Sequence, residues 1–163
     1  MKKILTATAV AAALAAGNAQ AAGQTSGQFN VTINLTSACT VSTIADVVFA
    51  YTANQAGAQA ATGGGFTVKC SQTLPYSLAL QSGTAAGPFV GPFSATIPSV
   101  TDSVVNLNYS LGLTASTGLV ADGTAQPYNV TGSMGALQAG KCALATCDNT
   151  GSTNNRHTLI VNY

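Results

Sequence analysis

The side chains that could carry out chemistry are few in this sequence. His157 is the only histidine, and the chain contains no glutamate. General acid–base catalysis usually depends on a histidine or on paired carboxylates, and nucleophilic catalysis would need a serine or cysteine beside His157 with an acid to orient the ring. The aspartates stand singly and form no D-x-D-x-D-G calcium loop; they are Asp46, Asp102, Asp122 and Asp148. We therefore expect no enzyme activity, no catalytic residue, no metal site and no cofactor.

The amino terminus has the pattern of a secretory signal peptide. Lys2 and Lys3 precede an apolar run over residues 4–16, and Ala19-Gln20-Ala21 offers an A-x-A cleavage site. The apolar run is shorter than the ~20 residues that a membrane-spanning helix needs, which argues against a membrane anchor. We expect residues 1–21 to be a signal peptide and the mature chain to insert no segment into a membrane.

Export would place the four cysteines in an oxidising compartment, where they are expected to form two disulfides. They are Cys39, Cys70, Cys142 and Cys147, and their spacing alone allows three connectivities. Four residues separate Cys142 from Cys147, which suits a local bridge, and Cys39 and Cys70 would then enclose 30 residues. A zinc site with His157 is the weaker alternative, because neither pair has CxxC spacing and thiols oxidise in this compartment. A lone histidine beside Arg156 in a polar stretch is typical of a solvated surface residue.

The composition excludes further classes of function. Charged residues make up 6% of the chain, whereas soluble proteins average roughly 25%. Nucleic acid is excluded as a partner, because neutralising its phosphates needs clustered lysine and arginine. Hydrophobic residues make up 47%, which separates this chain from disordered proteins of low hydrophobicity and high net charge. The composition indicates a single compact domain of an extracellular or structural protein.

Several segments alternate apolar and polar residues at a period of two, and no segment after residue 22 has a convincing helical period. The alternating segments are residues 29–35, 66–70, 76–80, 105–113 and 158–163. Turn signals lie between them, among them Gly63-Gly64-Gly65 and Asp122-Gly123, and the second predicts a hairpin turn. The pattern predicts an all-β, antiparallel sandwich. It is Ig-like only in the broad sense, because the chain has no tryptophan for the antibody-type spacing.

The last alternating segment predicts a sheet edge that remains open. It runs to the final residue without a capping charge and without a following strand to cover it, and an unpaired edge exposes a row of N–H and C=O groups. Its apolar side chains at alternate positions are Leu159, Val161 and Tyr163.

The first alternating segment, residues 29–35, follows a small, polar leader. Its apolar side chains on one face are Phe29, Val31, Ile33 and Leu35. The pattern alone favours the interpretation that the segment is the first strand of the chain's own sandwich. The alternative is that it pairs with another molecule and fills a groove beside that molecule's last strand, which is β-augmentation between subunits.

These segments resemble the spore coat protein U domain, the pilin-type domain of archaic chaperone–usher fimbriae, over essentially the whole mature chain. The most specific pieces are Cys70 with the following Pro75-Tyr76-x-Leu78-x-Leu80 and the carboxyl-terminal strand. The other matching segments are residues 37–41, 65–69, 107–111, 121–124 and 128–132. The chain departs from the family at residues 154–158, where members often carry a Gly-x-Tyr-x-Asp-Thr-like approach, and in its additional Cys142/Cys147 pair.

The resemblance implies an incomplete Ig-like antiparallel β-sandwich that is completed by a donor strand from another subunit. The donor segment would be residues 22–36 and the sandwich domain residues 37–163, with Cys39 and Cys70 matching the family's bridge. The inserting side chains would be Phe29, Val31, Ile33 and Leu35. The edge of the acceptor groove would be Leu159, Val161 and Tyr163. The implied partners are a periplasmic chaperone, an outer-membrane usher and neighbouring pilin subunits in a homopolymer or a mixed fibre.

The expected function is structural: a subunit of a surface fimbria, exported to the periplasm and then to the cell surface, that supports attachment and biofilm formation. One alternative is a spore or cell-surface coat or matrix protein of the same fold. The other is a ligand-binding tip adhesin. Four aromatic residues could line a sugar site, but packing of their rings in the core is the favoured interpretation; they are Tyr51, Tyr109, Tyr128 and Phe89. Adhesins of such systems usually add a receptor domain ahead of the pilin domain. Because residues 29–35 follow the signal peptide directly, we expect a shaft or minor subunit.

Overall fold

The structure of the protein, a computed structural model, describes residues 25–82, 94–150 and 155–163. The chain divides into two units, Met1–Leu35 and Thr36–Tyr163. In the first unit, residues 25–35 form neither strand nor helix, and the predicted signal peptide, residues 1–21, lies outside the described residues. None of the three described ranges contains a helix long and apolar enough to cross a membrane.

The second unit is all-β, as the period-two alternation predicts. Its described residues form 11 strands and no helix. The strands are β1 (Cys39–Val41), β2 (Val47–Val48), β3 (Gln59–Ala60), β4 (Thr62–Gly63), β5 (Gly65–Cys70), β6 (Pro75–Ser82), β7 (Thr96–Thr101), β8 (Asn108–Leu113), β9 (Leu119–Val120), β10 (Gln126–Met134) and β11 (His157–Asn162).

Two antiparallel sheets make up most of this unit. A six-stranded sheet has the order β1-β5-β10-β8-β7, with β3 also pairing with β10. A three-stranded sheet has the order β11-β6-β9, and β2 pairs with β4 in a small two-stranded sheet. This arrangement confirms the predicted fold class, because it is consistent with an Ig-like sandwich.

The core lies between the two main sheets and consists of side chains from alternate strand positions. From the six-stranded sheet come Phe66, Val68, Cys70, Ile97, Tyr109, Leu111, Val130 and Met134, and from the three-stranded sheet come Tyr76, Leu78 and Leu80. Successive side chains of a strand point to opposite faces, so the alternation in the sequence becomes one buried face and one exposed face. Of the aromatic residues considered for a sugar site, Tyr109 is in the core, Tyr51 and Tyr128 pack against it, and Phe89 lies outside the described residues.

A glycine pair lets the chain pass from the small sheet into the six-stranded sheet. Gly63 ends β4, Gly64 follows it before β5 begins, and both have positive φ angles of 81° and 76°. A Cβ atom on Gly64 would lie 2.1 Å from the carbonyl oxygen of Val130. The position therefore requires glycine both for its backbone conformation and for the close approach of β10. At the predicted turn signal Gly63-Gly64-Gly65, the structure has a one-residue break between β4 and β5.

The strand predicted over residues 105–113 is wrong in its first part, because β8 begins only at Asn108. The side chain of Asp102 accepts hydrogen bonds from the backbone N–H groups of Val104 and Val105, which turns the chain between β7 and β8. Side chain-to-backbone hydrogen bonds of this kind compete with strand pairing. The apolar alternation continues through the turn because Leu107 still packs against the core.

The hairpin predicted at Asp122-Gly123 is also wrong, although a turn is present there. The Asp122 carboxylate accepts hydrogen bonds from the backbone N–H and the hydroxyl of Thr124. The turn leads from β9, which pairs with β6, to β10, which pairs with β5 and β8. It therefore connects the two main sheets and does not join neighbouring strands.

Candidate subunit-assembly site

The apolar side chains of residues 29–35 are exposed in this structure. Phe29, Val31, Ile33 and Leu35 are between 73% and 85% exposed. Residues 25–38 contain no strand, and the first strand of the chain begins at Cys39. The segment therefore does not form the first strand of the chain's own sandwich, which the alternation alone had favoured. Four large apolar side chains on alternate positions are left in contact with solvent, an arrangement typical of an interaction segment.

At the other end of the chain, β11 is an edge strand. Within the described residues it pairs with β6 and with no other strand. Leu159 lies opposite Leu80 and Val161 opposite Leu78 in this antiparallel register, so the side chains of each pair lie on the same face. Leu78 and Leu80 are buried, whereas Leu159 and Val161 are only half-buried although they pack against the core. Burial thus decreases across the sheet towards the free side of β11, and Tyr163, just beyond the strand, is exposed.

The hydrogen bonds of β6 reveal which main-chain groups of β11 face its free side. The N–H groups of Leu78 and Leu80 donate to the carbonyl oxygens of Ser116 and Ser94, each at 2.8 Å, and these acceptors do not belong to β11. In an antiparallel ladder, directly opposite residues either exchange hydrogen bonds with each other or both point their N–H and C=O groups away from the pair. The N–H and C=O groups of Leu159 and Val161 therefore point towards the free edge.

The six-stranded sheet has a comparable edge at β1. Val41 lies opposite Val68, and Val41 is 41% exposed whereas Val68 is 1% exposed. A disulfide joins Cys39 of β1 to Cys70 of β5, whose Cα atoms are 4.0 Å apart. The covalent bond fastens a strand of only three residues to its neighbour, and Val41 of this outer strand is partly exposed whereas Val68 beside it is buried.

The remaining sheet edges carry features that discourage pairing. β7 contains Pro98, which has no N–H to donate, and its register with β8 is interrupted between Ile97 and Val100; proline and bulges are common means of blocking edge-to-edge pairing. β9 has two residues. β11 has six regularly paired residues, among them Leu159, Ile160 and Val161, and contains neither proline nor an acidic or lysine side chain. Among the described edges, β11 is the long, regular and apolar one.

A polar network holds the start of β11 against the six-stranded sheet. The ring Nε2 of His157 shares a 2.7 Å hydrogen bond with the hydroxyl of Tyr109 in β8, and the two rings make an edge-to-face contact. Two residues earlier, the side-chain amide of Asn155 donates to Oδ2 of Asp102. The amide of Asn149 donates to the same oxygen at 2.7 Å. The prediction of a solvated His157 is therefore wrong, because the ring is half-buried between the sheets.

Burial and hydrogen bonding change the pKa values in this network. Asp102 is 2% exposed; burial alone would raise the pKa of its carboxyl group, but hydrogen bonds from Val105, Asn149, Val104 and Asn155 outweigh burial and lower the pKa. Burial, assisted by the negative charge of Asp102, raises the pKa of Tyr109 to about 12. Burial lowers the pKa of His157. At neutral pH the network therefore contains a carboxylate, a neutral phenol and a neutral imidazole.

The predicted second disulfide is also present, between Cys142 and Cys147. It closes a short loop within the exposed residues 141–150, and Asn149 lies two residues after Cys147. The two disulfides thus have the connectivity that the resemblance and the short spacing predicted. Within the described ranges, no three histidine, cysteine, aspartate or glutamate side chains come together as ligands for a metal ion.

The sequence patterns do not identify Asp102, Asn155 and Tyr109 as a connected group. An aspartate followed closely by residues that can form a turn is a signal for a turn, and it could have predicted the bend after β7. The burial of the carboxylate and its contact with Asn155, 53 residues away in the sequence, depend on the packing of distant segments and have no local signal.

Comparison with known proteins agrees with this architecture. The family model described as the Spore Coat Protein U domain matches residues 25–155, a range that includes the exposed amino-terminal segment, Asp102 and Asn155 but ends before His157 and β11. A comparison with curated proteins found no match. Because the family model covers most of the chain, this protein belongs to the Spore Coat Protein U domain family, whose pilin-type members are structural components of surface fimbriae and coats.

Proposed function

We propose that this protein is a fimbrial subunit that polymerises by strand donation, in which residues 22–36 of one subunit pair with the free edge of β11 in the next. The observation that carries the proposal is the free side of β11, where main-chain groups of Leu159 and Val161 point outward beside half-buried core side chains. The exposed alternating segment of residues 29–35 has the complementary properties. An extended segment that adds to such an edge gains main-chain hydrogen bonds and places alternate side chains in the groove.

The inserting side chains in this proposal are Phe29, Val31, Ile33 and Leu35, and the acceptor edge is Leu159, Val161 and Tyr163. Burying a large apolar side chain contributes about 1.5–3 kcal/mol. An inserted strand can leave only if the core beside β11 opens, so we expect the assembled fibre to resist dissociation kinetically.

An uncovered edge of this kind explains why partners would be needed before assembly. An apolar, unpaired strand is a template for uncontrolled association. We propose that a periplasmic chaperone covers the β11 edge until an outer-membrane usher brings in the next subunit. Residues 1–21, acting as a signal peptide that is then removed, would direct the chain to the periplasm. The two disulfides fit an oxidising compartment. The fibre would then support attachment and biofilm formation at the cell surface.

The family description favours a second candidate, a coat protein of a spore or cell surface. Strand donation would serve a coat as well as a fibre, so the two candidates share the assembly site and differ in the shape of the product. Electron microscopy of surface material from cells that make the wild-type chain distinguishes thin fibres from a continuous layer.

The donor role is tested by replacing Ile33 with aspartate in cells that make the complete assembly system. A carboxylate on the inserting face would have to enter an apolar groove, and desolvation of an unpaired ion there costs roughly several kcal/mol of binding free energy. We expect Ile33→Asp to abolish the ladder of polymers seen by SDS–PAGE of unboiled surface material, while the chain is still exported and folded.

The matched control is Thr32→Asp, which introduces the same charge on the opposite face of the segment, where strand alternation directs it to solvent. This variant should polymerise like the wild type. An unchanged ladder in Ile33→Asp, or equal loss in both variants, would refute the assignment of the inserting face.

A further inference from the structure

The start of β11 is attached to the six-stranded sheet by side chains from only a few positions. Asn155 donates to Asp102, which follows β7, and His157 shares a hydrogen bond with Tyr109 of β8. The only strand that pairs with β11 within the described residues is β6. Before a partner arrives, the position of the free edge therefore depends on β6 along one side, on the packing of Leu159 and Val161 against the core and on these polar contacts at the strand's beginning.

The polar network contributes less to the stability of the fold than apolar side chains at the same place would. Asp102 is a buried carboxylate, and the hydrogen bonds that it accepts within the described residues come from backbone N–H groups and asparagine amides rather than from a positively charged side chain. Three buried side-chain atoms at this end of the sheet have no hydrogen-bond partner among the described residues: Gln81 Oε1, Asn155 Oδ1 and His157 Nδ1. A buried polar network with unpaired members is usually less stabilising than an apolar core, which favours a role in fixing geometry.

We propose that Asp102 and Asn155 are positioning residues for strand capture: the buried Asp102 carboxylate holds Asn155, and through it the beginning of β11, so that the free edge is ready to receive an incoming strand. This inference rests on the proposed function. Its structural basis is the placement of Asn155 two residues before β11. Asp102 is itself held in place by 2.7 Å hydrogen bonds that its Oδ1 accepts from the N–H groups of Val104 and Val105.

Asn149 provides a matched control within the same network. Its amide donates to the same oxygen of Asp102 as the amide of Asn155 does, but Asn149 lies in the loop after Cys147 and not next to β11. Replacing either asparagine by alanine removes one hydrogen bond to one acceptor. Only the replacement of Asn155 removes a contact next to the start of the acceptor strand.

The experiment measures the rate at which a fluorescent peptide of residues 25–36 is captured by the full chain carrying Ile33→Asp, which can accept a strand but cannot donate one. Asn155→Ala should slow capture about tenfold or more, as expected for the loss of one hydrogen bond to a charged group, whereas Asn149→Ala should leave the rate within about twofold, which is close to the effect of an ordinary surface substitution. Urea unfolding of both variants should give similar losses of stability. The two variants would then differ in capture rate but not in stability.

Variants of Asp102 provide a second measurement. Asp102→Ala removes every acceptor and should slow capture at least as much as Asn155→Ala. Asp102→Asn keeps an oxygen for the N–H groups of Val104 and Val105. Its new amide can donate a hydrogen bond to Oδ1 of Asn155 once the Asn155 amide turns over, so the variant should restore most of the rate. Equal capture rates in Asn155→Ala and Asn149→Ala, or no recovery in Asp102→Asn, would overturn the positioning role. Failure of the reference chain to capture the peptide at all would overturn the proposed function together with this inference.

Discussion

Asp102 and His157 lie at the same junction between the two main sheets, but they respond to pH in different ranges. The hydrogen bonds to the Asp102 carboxylate lower its pKa below the ordinary value of 3.8, despite burial. The His157 ring is half-buried, and burial lowers its pKa from the ordinary value of 6.5. Between pH 7.5 and 5, Asp102 therefore remains ionised, and His157 is the member of the pair whose protonation can change.

We predict that the protein loses stability as the pH falls below about 6.5, the ordinary pKa of histidine. The unfolded chain binds a proton at His157 before the folded chain does, because the pKa of the folded state is lower. The contribution of neutral His157 to the free energy of unfolding is therefore fully present above pH 6.5 and decreases as the pH falls towards the folded-state pKa. Urea unfolding at pH 7.5, 6.5 and 5.5 measures this slope.

The matched variant for this prediction is His157→Gln, which keeps a polar side chain beside Tyr109 but cannot titrate. Its unfolding free energy should vary less between pH 7.5 and 5.5 than that of the wild type. The same slope in both proteins would show that His157 is not the titrating group.

At the scale of strands and loops, the period-two pattern predicted β5, β6 and β11 closely, because the alternating apolar side chains of each strand lie in the core or pack against it. It failed at residues 105–107, where the Asp102 turn interrupts an alternation that the core still requires. It also failed at residues 29–35, where the alternating side chains are exposed and no strand forms. Alternation records which side chains can be buried together, but it does not say in which molecule.

The two disulfides are predicted to differ in what they contribute to stability. The Cys39–Cys70 bond spans 31 positions and the Cys142–Cys147 bond spans 5. The chain-entropy model assigns the longer loop about 3–4 kcal/mol and the shorter loop about 2 kcal/mol. We expect the double replacement Cys39→Ser with Cys70→Ser to lower the free energy of unfolding more than Cys142→Ser with Cys147→Ser, as measured in urea.

Location strengthens this expectation, because Cys70 is in the core whereas Cys142 and Cys147 are exposed. A larger loss of stability on removing the exposed bond would contradict the entropic account. It would indicate that the loop leading to Asn149 has a stabilising role beyond closing four residues.

At the scale of the whole molecule, the proposed function requires one subunit to provide an edge and another to provide a strand. Val161→Asp should block acceptance, because Val161 lies on the core-facing side of β11 opposite Leu78, while leaving residues 29–35 able to donate. A mixture of this variant with Ile33→Asp should give a complex of two chains that does not grow, detected by size-exclusion chromatography with light scattering. The control, Asn162→Asp, changes an exposed residue and should polymerise normally.

Each variant on its own should remain monomeric in this experiment. Polymers in either single preparation, or the absence of a two-chain complex in the mixture, would contradict strand donation between the proposed surfaces. The mixture therefore tests the pairing of two surfaces, which a single substitution cannot do.

Local patterns in the sequence were sufficient for the all-β class, for the two disulfide pairs once the family resemblance was added, and for the apolar face of residues 29–35, since each depends on neighbouring residues or on spacing. Sheet order and burial were beyond their reach. Contacts between segments 48 to 53 residues apart bury Asp102 and bring His157 to Tyr109. The pairing of whole strands decides that β7 is interrupted and that β11 is open. Such contacts form only when the strands select their partners, and that selection depends on packing the whole core.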